Sequence, residues 1–380
     1  MPPAENGPMG QPTVKPVATA TTSRQPLLRA IIMALAALAL IVGLYGGIGR
    51  LGLTAADQLA MLHGPLLICG LFGTLIGLER AVAMGGRWML GAPLASGLGT
   101  LALLVGLPLP VGAAAYAVSA AVLTAGCFLI TLRQPALFTG ALIFGALAWL
   151  VGSLLWMTGS SIPDVAGWWL AFLVLTVAAE RLELSRLLPP MRGSEAHFLF
   201  SLGLILAGAQ NGLLSDDGSI LFGLALLCLT AWLLRYDIAR FGIRQSGQVR
   251  FMAACMLAAY VWLAAAAAAL LLAAPAQTAL GYDIALHAIL IGFVISMVFG
   301  HALIILPAVL GLRVAYTPAL YLALGLLHVS VLLRIGSGLA EWAAGRLASG
   351  VLTLAALLLF AGLLALSDKA RRRPLQLRSN

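Results

Sequence analysis

Apolar runs recur along nearly the whole chain, and each is long enough to cross a bilayer as a helix. The spacing predicts spans over 28–49, 57–84, 88–107, 111–132, 136–158, 165–187, 195–214, 219–236, 250–273, 281–310, 317–335 and 346–366. An α-helix rises 1.5 Å per residue, so about 20 apolar residues match a hydrocarbon core of about 30 Å. A spanning β-strand needs only about ten residues and alternates in polarity, and these runs do neither. Gly85-Gly86, Pro108, Pro110, Pro135, Pro163, Pro189-Pro190, Gly218 and Pro275 punctuate the links. Only 9% of the residues are charged and 62% are apolar, against about 25% charged in a soluble domain. That excludes a soluble enzyme, a disordered chain and a secreted disulfide scaffold. The expected fold is an all-α membrane protein, a polytopic bundle of about 12 transmembrane helices. Residues 1–26 are polar and rich in Pro and Thr and read as a disordered cytoplasmic tail. Residues 27–367 read as the transmembrane domain and 368–380 as a basic cytoplasmic tail. The first run lacks an A-x-A-like exit, so it reads as a retained helix and not a cleaved signal.

The few charges orient the chain. With both termini in the cytoplasm, all of the 22 basic residues except Arg50, Arg334 and Arg346 fall on the inner side. This is the positive-inside bias of membrane proteins. It accounts for the net charge of +9 without a nucleic-acid partner. Asp164, Asp216 and Asp217 fall outside, and Trp156, Trp168, Trp169 and Trp342 read as an outer aromatic belt. Cys69, Cys127, Cys228 and Cys255 lie inside apolar runs with no C-x-x-C spacing, and read as small core residues.

Ionisable groups inside a membrane are costly and usually functional. His197 falls near the inner edge of its span and reads as interfacial. His63, His287, His301 and His328 lie within spans. His63 and His287 each stand six residues in from the outer end of their helices, which puts both about 9 Å below the same face. His328 lies in the same layer. His301 is 14 residues beyond His287, nearly four turns, and is expected on a similar face near the inner side. Imidazoles at matched depth on two helices suit the two axial positions of a haem iron, or a metal with His328 as third ligand. The plainer reading is polar glue, each ring bonded across helices. His301 would serve an inner site or bond a neighbouring carbonyl.

Gly70, Gly73 and Gly77 line a small-residue face of the second span, and His63, Leu67, Gly70, Thr74 and Gly77 share a face. That face permits close helix contact, or room for a flat cofactor. At the inner ends, Glu79-Arg80 and Glu180-Arg181, with Glu183, read as an inter-helix salt-bridge cluster or as a proton relay. Asp237 and Arg240 read as ordinary loop charges.

The tenth span reads His287-Ala288-Ile289-Leu290-Ile291-Gly292, then Met297-Val298-Phe299-Gly300. It resembles the helix of the NnrS family that begins His-Ala and continues with spaced Gly, Met and Gly. The second span, His63-Gly64-Pro65-Leu66-Leu67 with Gly70 and Gly73, is similar to that family's first His-bearing helix. Gly64-Pro65 stands where the family has Glu-Met. The resemblance covers two helices by motif and the whole chain by topology. It implies a bacterial cytoplasmic-membrane protein of the nitric oxide response, containing haem and copper, with a b-type haem at His63 and His287. The plan is also similar to the catalytic subunit of the haem–copper oxidases, where a low-spin haem sits between the second and tenth helices. Those enzymes place copper on one His of the sixth helix and an adjacent pair on the seventh. Here 165–187 has no His, only His197 stands at the edge of the seventh span, and position 289 is Ile. An oxygen-reducing binuclear centre is therefore not implied, and any copper would have to use His328, His301 or methionine sulfur.

Three functions compete. One is a haem-binding redox protein that transfers electrons from a respiratory donor or responds to nitric oxide. The second is a transporter or exporter of a small solute, since twelve spans with a positive inner face suit that class. The third is an assembly factor for a respiratory complex.

Overall fold

The computed structural model describes residues 25–52, 57–189, 191–273, 275 and 278–372. Helix α1 is Gln25–Arg50. Next, α2 (Asp57–Pro65) widens into a π-helical segment, Leu66–Phe72, and continues as α3 (Gly73–Met84). Pro65 has no N–H to give and its ring crowds the preceding turn, a local reason for the helix to widen there. A short 3-10 turn, Arg87–Leu90, leads into α4 (Gly91–Leu104). Then come α5 (Leu109–Arg133), α6 (Leu137–Met157), α7 (Ile162–Ser185), α8 (Ser194–Asn211) and α9 (Asp216–Tyr236). The short α10 (Ala239–Gly242) precedes α11 (Gly247–Leu272). A second rod follows the pattern of the first: α12 (Ala279–His287), a π-helical segment Ala288–Ile295, and α13 (Ser296–Leu310). The last helices are α14 (Leu320–Leu339) and α15 (Ala343–Arg372).

Among the described residues there is no strand, and ten helices are long and apolar enough to cross a membrane. The chain is an all-helical multi-pass membrane protein. The remaining two expected spans, 88–107 and 195–214, are also helical but fall short of the other ten. Helix α4 has 14 residues, cut off by Gly85-Gly86 before it and by the Gly106 and Pro108 break after it. Helix α8 has 18 residues and opens on the polar Ser194-Glu195-Ala196-His197. The expected tails are partly helical, since α1 starts at Gln25 and α15 runs to Arg372; 1–24 and 373–380 lie outside the described residues.

Helix α7 is the hub. It packs on α6 and α8 and touches the π segments of both rods. The first rod lies against α1 and α4, the second against α11 and α14. Large aromatic rings fill the core beside α7. Trp149 stacks on Phe172 with centroids 4.8 Å apart, and Trp156 meets Trp169 edge to face at 5.6 Å. Trp169 is fully buried and Trp156 nearly so. These two rings are therefore core and not an aromatic belt, because the helices around α7 close over them. Trp342 is 55% exposed, as a belt residue should be. Cys69, Cys127 and Cys255 are buried, Cys228 is half-buried, and all four are free thiols. Leu27, Ile41, Leu132, Leu272 and Leu322 are among many apolar side chains exposed on the outside of the bundle. In water such a surface would be a liability; against lipid tails it is the matching one.

Candidate functional site at the histidine end

Hydrogen-bond chemistry sorts the five histidines. A carbonyl oxygen only accepts, so a ring nitrogen facing one carries the proton. His63 donates from Nδ1 to the Gly43 carbonyl at 2.7 Å, and His287 donates from Nδ1 to the Asp283 carbonyl at 2.8 Å. In both rings Nε2 is left with its lone pair, and neither Nε2 has a hydrogen bond among the described residues. His301 donates from Nδ1 to the Met297 carbonyl at 2.6 Å, but its Nε2 accepts from Arg181 at 2.8 Å. His328 accepts on Nδ1 from the Trp262 indole at 2.7 Å, so its proton sits on Nε2, which is buried without a partner. His197 donates from Nε2 to the Cys228 carbonyl at 2.9 Å. Only His63 and His287 therefore present a bare Nε2 with Nδ1 anchored on the main chain. That is the arrangement in which a metal-binding imidazole is usually held. It is also the pair that matched depth selects from the sequence.

His63 and His287 lie within electrostatic reach of each other. Helix α1 seats the first. A Cβ on Gly47 would stand 2.8 Å from His63 Cε1, so Gly47 clears the ring while Gly43, one turn away, accepts its proton. A short polar chain seats the second. Arg334 of α14 grips Asp283 through two bonds, Nε to Oδ2 at 3.1 Å and Nη2 to Oδ1 at 2.7 Å. Asp283 Oδ1 is in turn 3.4 Å from His287 Nδ1. Arg50 and Arg334 lie within electrostatic reach of His63, and Arg334 and Arg346 of Asp283. The three basic residues that break the charge bias in the sequence thus all gather at this end.

His301 does not share the direction of His287. In an unbroken helix 14 residues would leave them on similar faces. The π segment between them turns less per residue and takes away part of a turn. His287 looks toward α2 and α14, and His301 looks toward α7. Gly70 and Gly77 have other side chains and backbone against them, not either histidine ring. A Cβ on Gly70 would stand 2.6 Å from Thr100 Oγ1, and one on Gly77 would stand 3.1 Å from the Pro93 nitrogen. Both glycines serve close contact with α4. No group of three or more His, Cys, Asp or Glu side chains is placed to hold a metal ion among the described residues.

At the other end of the bundle the Glu-Arg dipeptides meet. Arg80 of α3 pairs with Glu180 of α7. Next to Glu180, Arg181 is 2% exposed; it donates to His301 Nε2, reaches Met256 Sδ at 3.1 Å and lies 3.9 Å from Asp237. Asp237 is fully buried and is no ordinary loop charge. The tuck of α10 folds it inward, where its Oδ1 accepts from the Ala239 N–H at 2.6 Å. Burial pushes the Asp237 carboxyl above its usual range, while Arg181 and the Ala239 N–H pull it back down. Tyr260 faces the same carboxylate, and its hydroxyl, Arg181 Nε and Asp237 Oδ2 are buried without hydrogen bonds. Glu79 lies within electrostatic reach of Glu180, and Glu183 is exposed beyond the cluster.

Sequence reasoning missed Asp283, Trp262 and Tyr260, and read Asp237 as a loop charge. Asp283 was findable, being four residues before His287 and so on the same helix face. The other three depend on tertiary packing. No curated protein and no solved structure matches the chain. The family described as Domain of unknown function (DUF8744) matches residues 29–369, so the chain belongs to that family.

Proposed function

We propose that this protein is an NnrS-like integral membrane redox protein that holds one b-type haem between His63 and His287. The single observation behind the reading is that His63 and His287 each leave Nε2 bare while Nδ1 is tied to a main-chain carbonyl. Haem has two carboxylates as well as an iron, and the gathering of Arg50, Arg334 and Arg346 supplies cations beside the pair. A haem held there would supply one-electron redox chemistry. The chain's own part is to fix both rings, through Gly43 and Gly47 for His63 and through Asp283 and Arg334 for His287. The reading includes twelve crossings of a bacterial cytoplasmic membrane with both termini inside, which sets the histidine pair in the outer half. It also includes a role in electron transfer or the nitric oxide response. Copper is not part of it: Arg181 occupies His301 Nε2, and Trp262 leaves His328 in the wrong tautomer for Nε2 ligation.

The test is a reduced-minus-oxidised spectrum of the purified protein after haem-replete expression. A Soret band that shifts on reduction, and is lost in both His63→Ala and His287→Ala, is the expected result. A colourless protein overturns the reading. The second reading, a small-solute exporter, is favoured by one observation, a partly open cavity near Glu79. Solute uptake into proteoliposomes by colourless protein would decide for it.

A further inference from the structure

A cavity of about 160 Å³ lies among α1, α3, α7 and α13, on the side of the bundle away from the histidine pair. Its walls are apolar, with Phe72, Leu173 and Met297 among them, and it is partly open. The half-buried Met33 of α1 and Ile305, Leu306 and Leu310 of α13 line it toward the surface, so an occupant entering past them meets apolar side chains. The volume is that of a single ring: an engineered apolar cavity of about 150 Å³ admits benzene.

Four polar side chains reach this space: Thr176, His301, Glu79 and Glu180. Two are already spent. The Thr176 hydroxyl donates to the Phe172 carbonyl at 2.7 Å, and both His301 nitrogens are engaged. The two carboxylates are not. Glu180 gives one oxygen to Arg80, its other oxygen has no bond among the described residues, and Glu79 has none at all. Two unspent acceptors in an apolar cavity call for a ligand with two donors and no negative charge. A fatty acid or phospholipid phosphate would add a third anion in a medium where charges repel strongly.

We propose that this cavity binds the ring of a membrane hydroquinone, its two hydroxyls donating to Glu79 and to the free oxygen of Glu180, its chain leaving past the apolar rim. The binding stands on the cavity; only its use as an electron source rests on the haem reading. Recognition by acceptors selects the reduced ring, because a quinone offers carbonyls where the hydroquinone offers O–H groups.

The experiment is anaerobic equilibrium binding of radiolabelled decyl-ubiquinol, and in parallel decyl-ubiquinone, to the protein in phosphatidylcholine nanodiscs. The expected result is at least tenfold preference for the reduced form. Glu79→Leu should lose about tenfold in affinity for it, the worth of one hydrogen bond to a charged group. Ala302→Phe, on the cavity wall, should abolish binding. Equal affinity for the two oxidation states overturns the proposal. So does binding indifferent to both variants, or binding of tetraphenylphosphonium with no binding of decyl-ubiquinol. If Glu79→Leu fails to fold, the comparison of oxidation states on the unaltered protein still decides. The haem spectrum is read on the same sample, so a colourless protein that binds decyl-ubiquinol ends the haem reading alone, and a coloured one that does not bind it ends this one alone.

Discussion

The two polar ends of this bundle are built to opposite rules. At the histidine end, His63 and His287 each satisfy one nitrogen on the main chain and leave the other bare. At the glutamate–arginine end, Arg181 spends its guanidinium on His301 and Met256 beside a buried Asp237, and Arg80 is closed on Glu180. The first arrangement leaves valence for something else to take. The second consumes most of it internally, because a charge in a buried site must find its counter-charge or unfold the protein. Ionisable residues in a membrane thus divide into those kept available and those that hold helices together, and hydrogen-bond direction separates the two.

That contrast can be broken most forcefully at Arg181. Arg181→Met removes the cation from beside a fully buried Asp237 and should cost about 3–5 kcal/mol, seen as a fall in the thermal midpoint in detergent. A change under about 1 kcal/mol would mean the cluster is not the structural clamp described here. At the histidine end the expected costs are smaller and more local. Gly47→Ala puts a Cβ 2.8 Å from the His63 ring, for about 1–3 kcal/mol, and should swing the ring off the Gly43 carbonyl. If a haem band is present it should broaden or weaken in this variant while Arg181→Met, where folded, leaves it in place. Trp262→Phe removes the donor to His328 and should cost about 1 kcal/mol without touching the band. If the band is lost, His328 belongs with the available group after all.

The smallest effect is a pH dependence. Folding raises the pKa of Asp237, so above pH about 4 the unfolded chain releases a proton that the folded chain keeps. Between those two values the unfolded state binds fewer protons, and the contribution of Asp237 to stability falls as pH rises. Asp237→Asn should flatten the stability curve in that window. Identical curves for the two proteins would mean that Arg181 alone sets the carboxyl's state.

Depth counting along two helices is enough to single out His63 and His287, and hydrogen-bond direction sets the same two rings apart from the other three. Charge bias marked Arg50, Arg334 and Arg346 as exceptions, and the fold gives them one location. The glycine face was open to two readings in the sequence because a stripe of glycines says only that something comes close; here that something is α4 at Gly70 and Gly77 and the Trp149 ring of α6 at Gly73. Asp237 looked like a loop charge because its burial comes from a four-residue helix folding under the bundle, which no periodicity reports. Trp169 was misplaced for a related reason: depth along a helix is countable, but whether neighbouring helices cover that depth is not.

The π segments hold one more consequence. Each rod carries a histidine before its widened stretch and polar contacts to α7 after it, so the stretch sets the angle between two interfaces on one helix. A single-residue deletion in α3 after the stretch, such as loss of Ile76, has no wide turn to absorb it and would rotate everything beyond it by about 100°. His63 would keep its seat on α1, while Glu79 and Arg80 would turn away from Glu180. The chain would still be apolar, helical and long enough to cross the bilayer, yet its two ends could no longer both fit their neighbours.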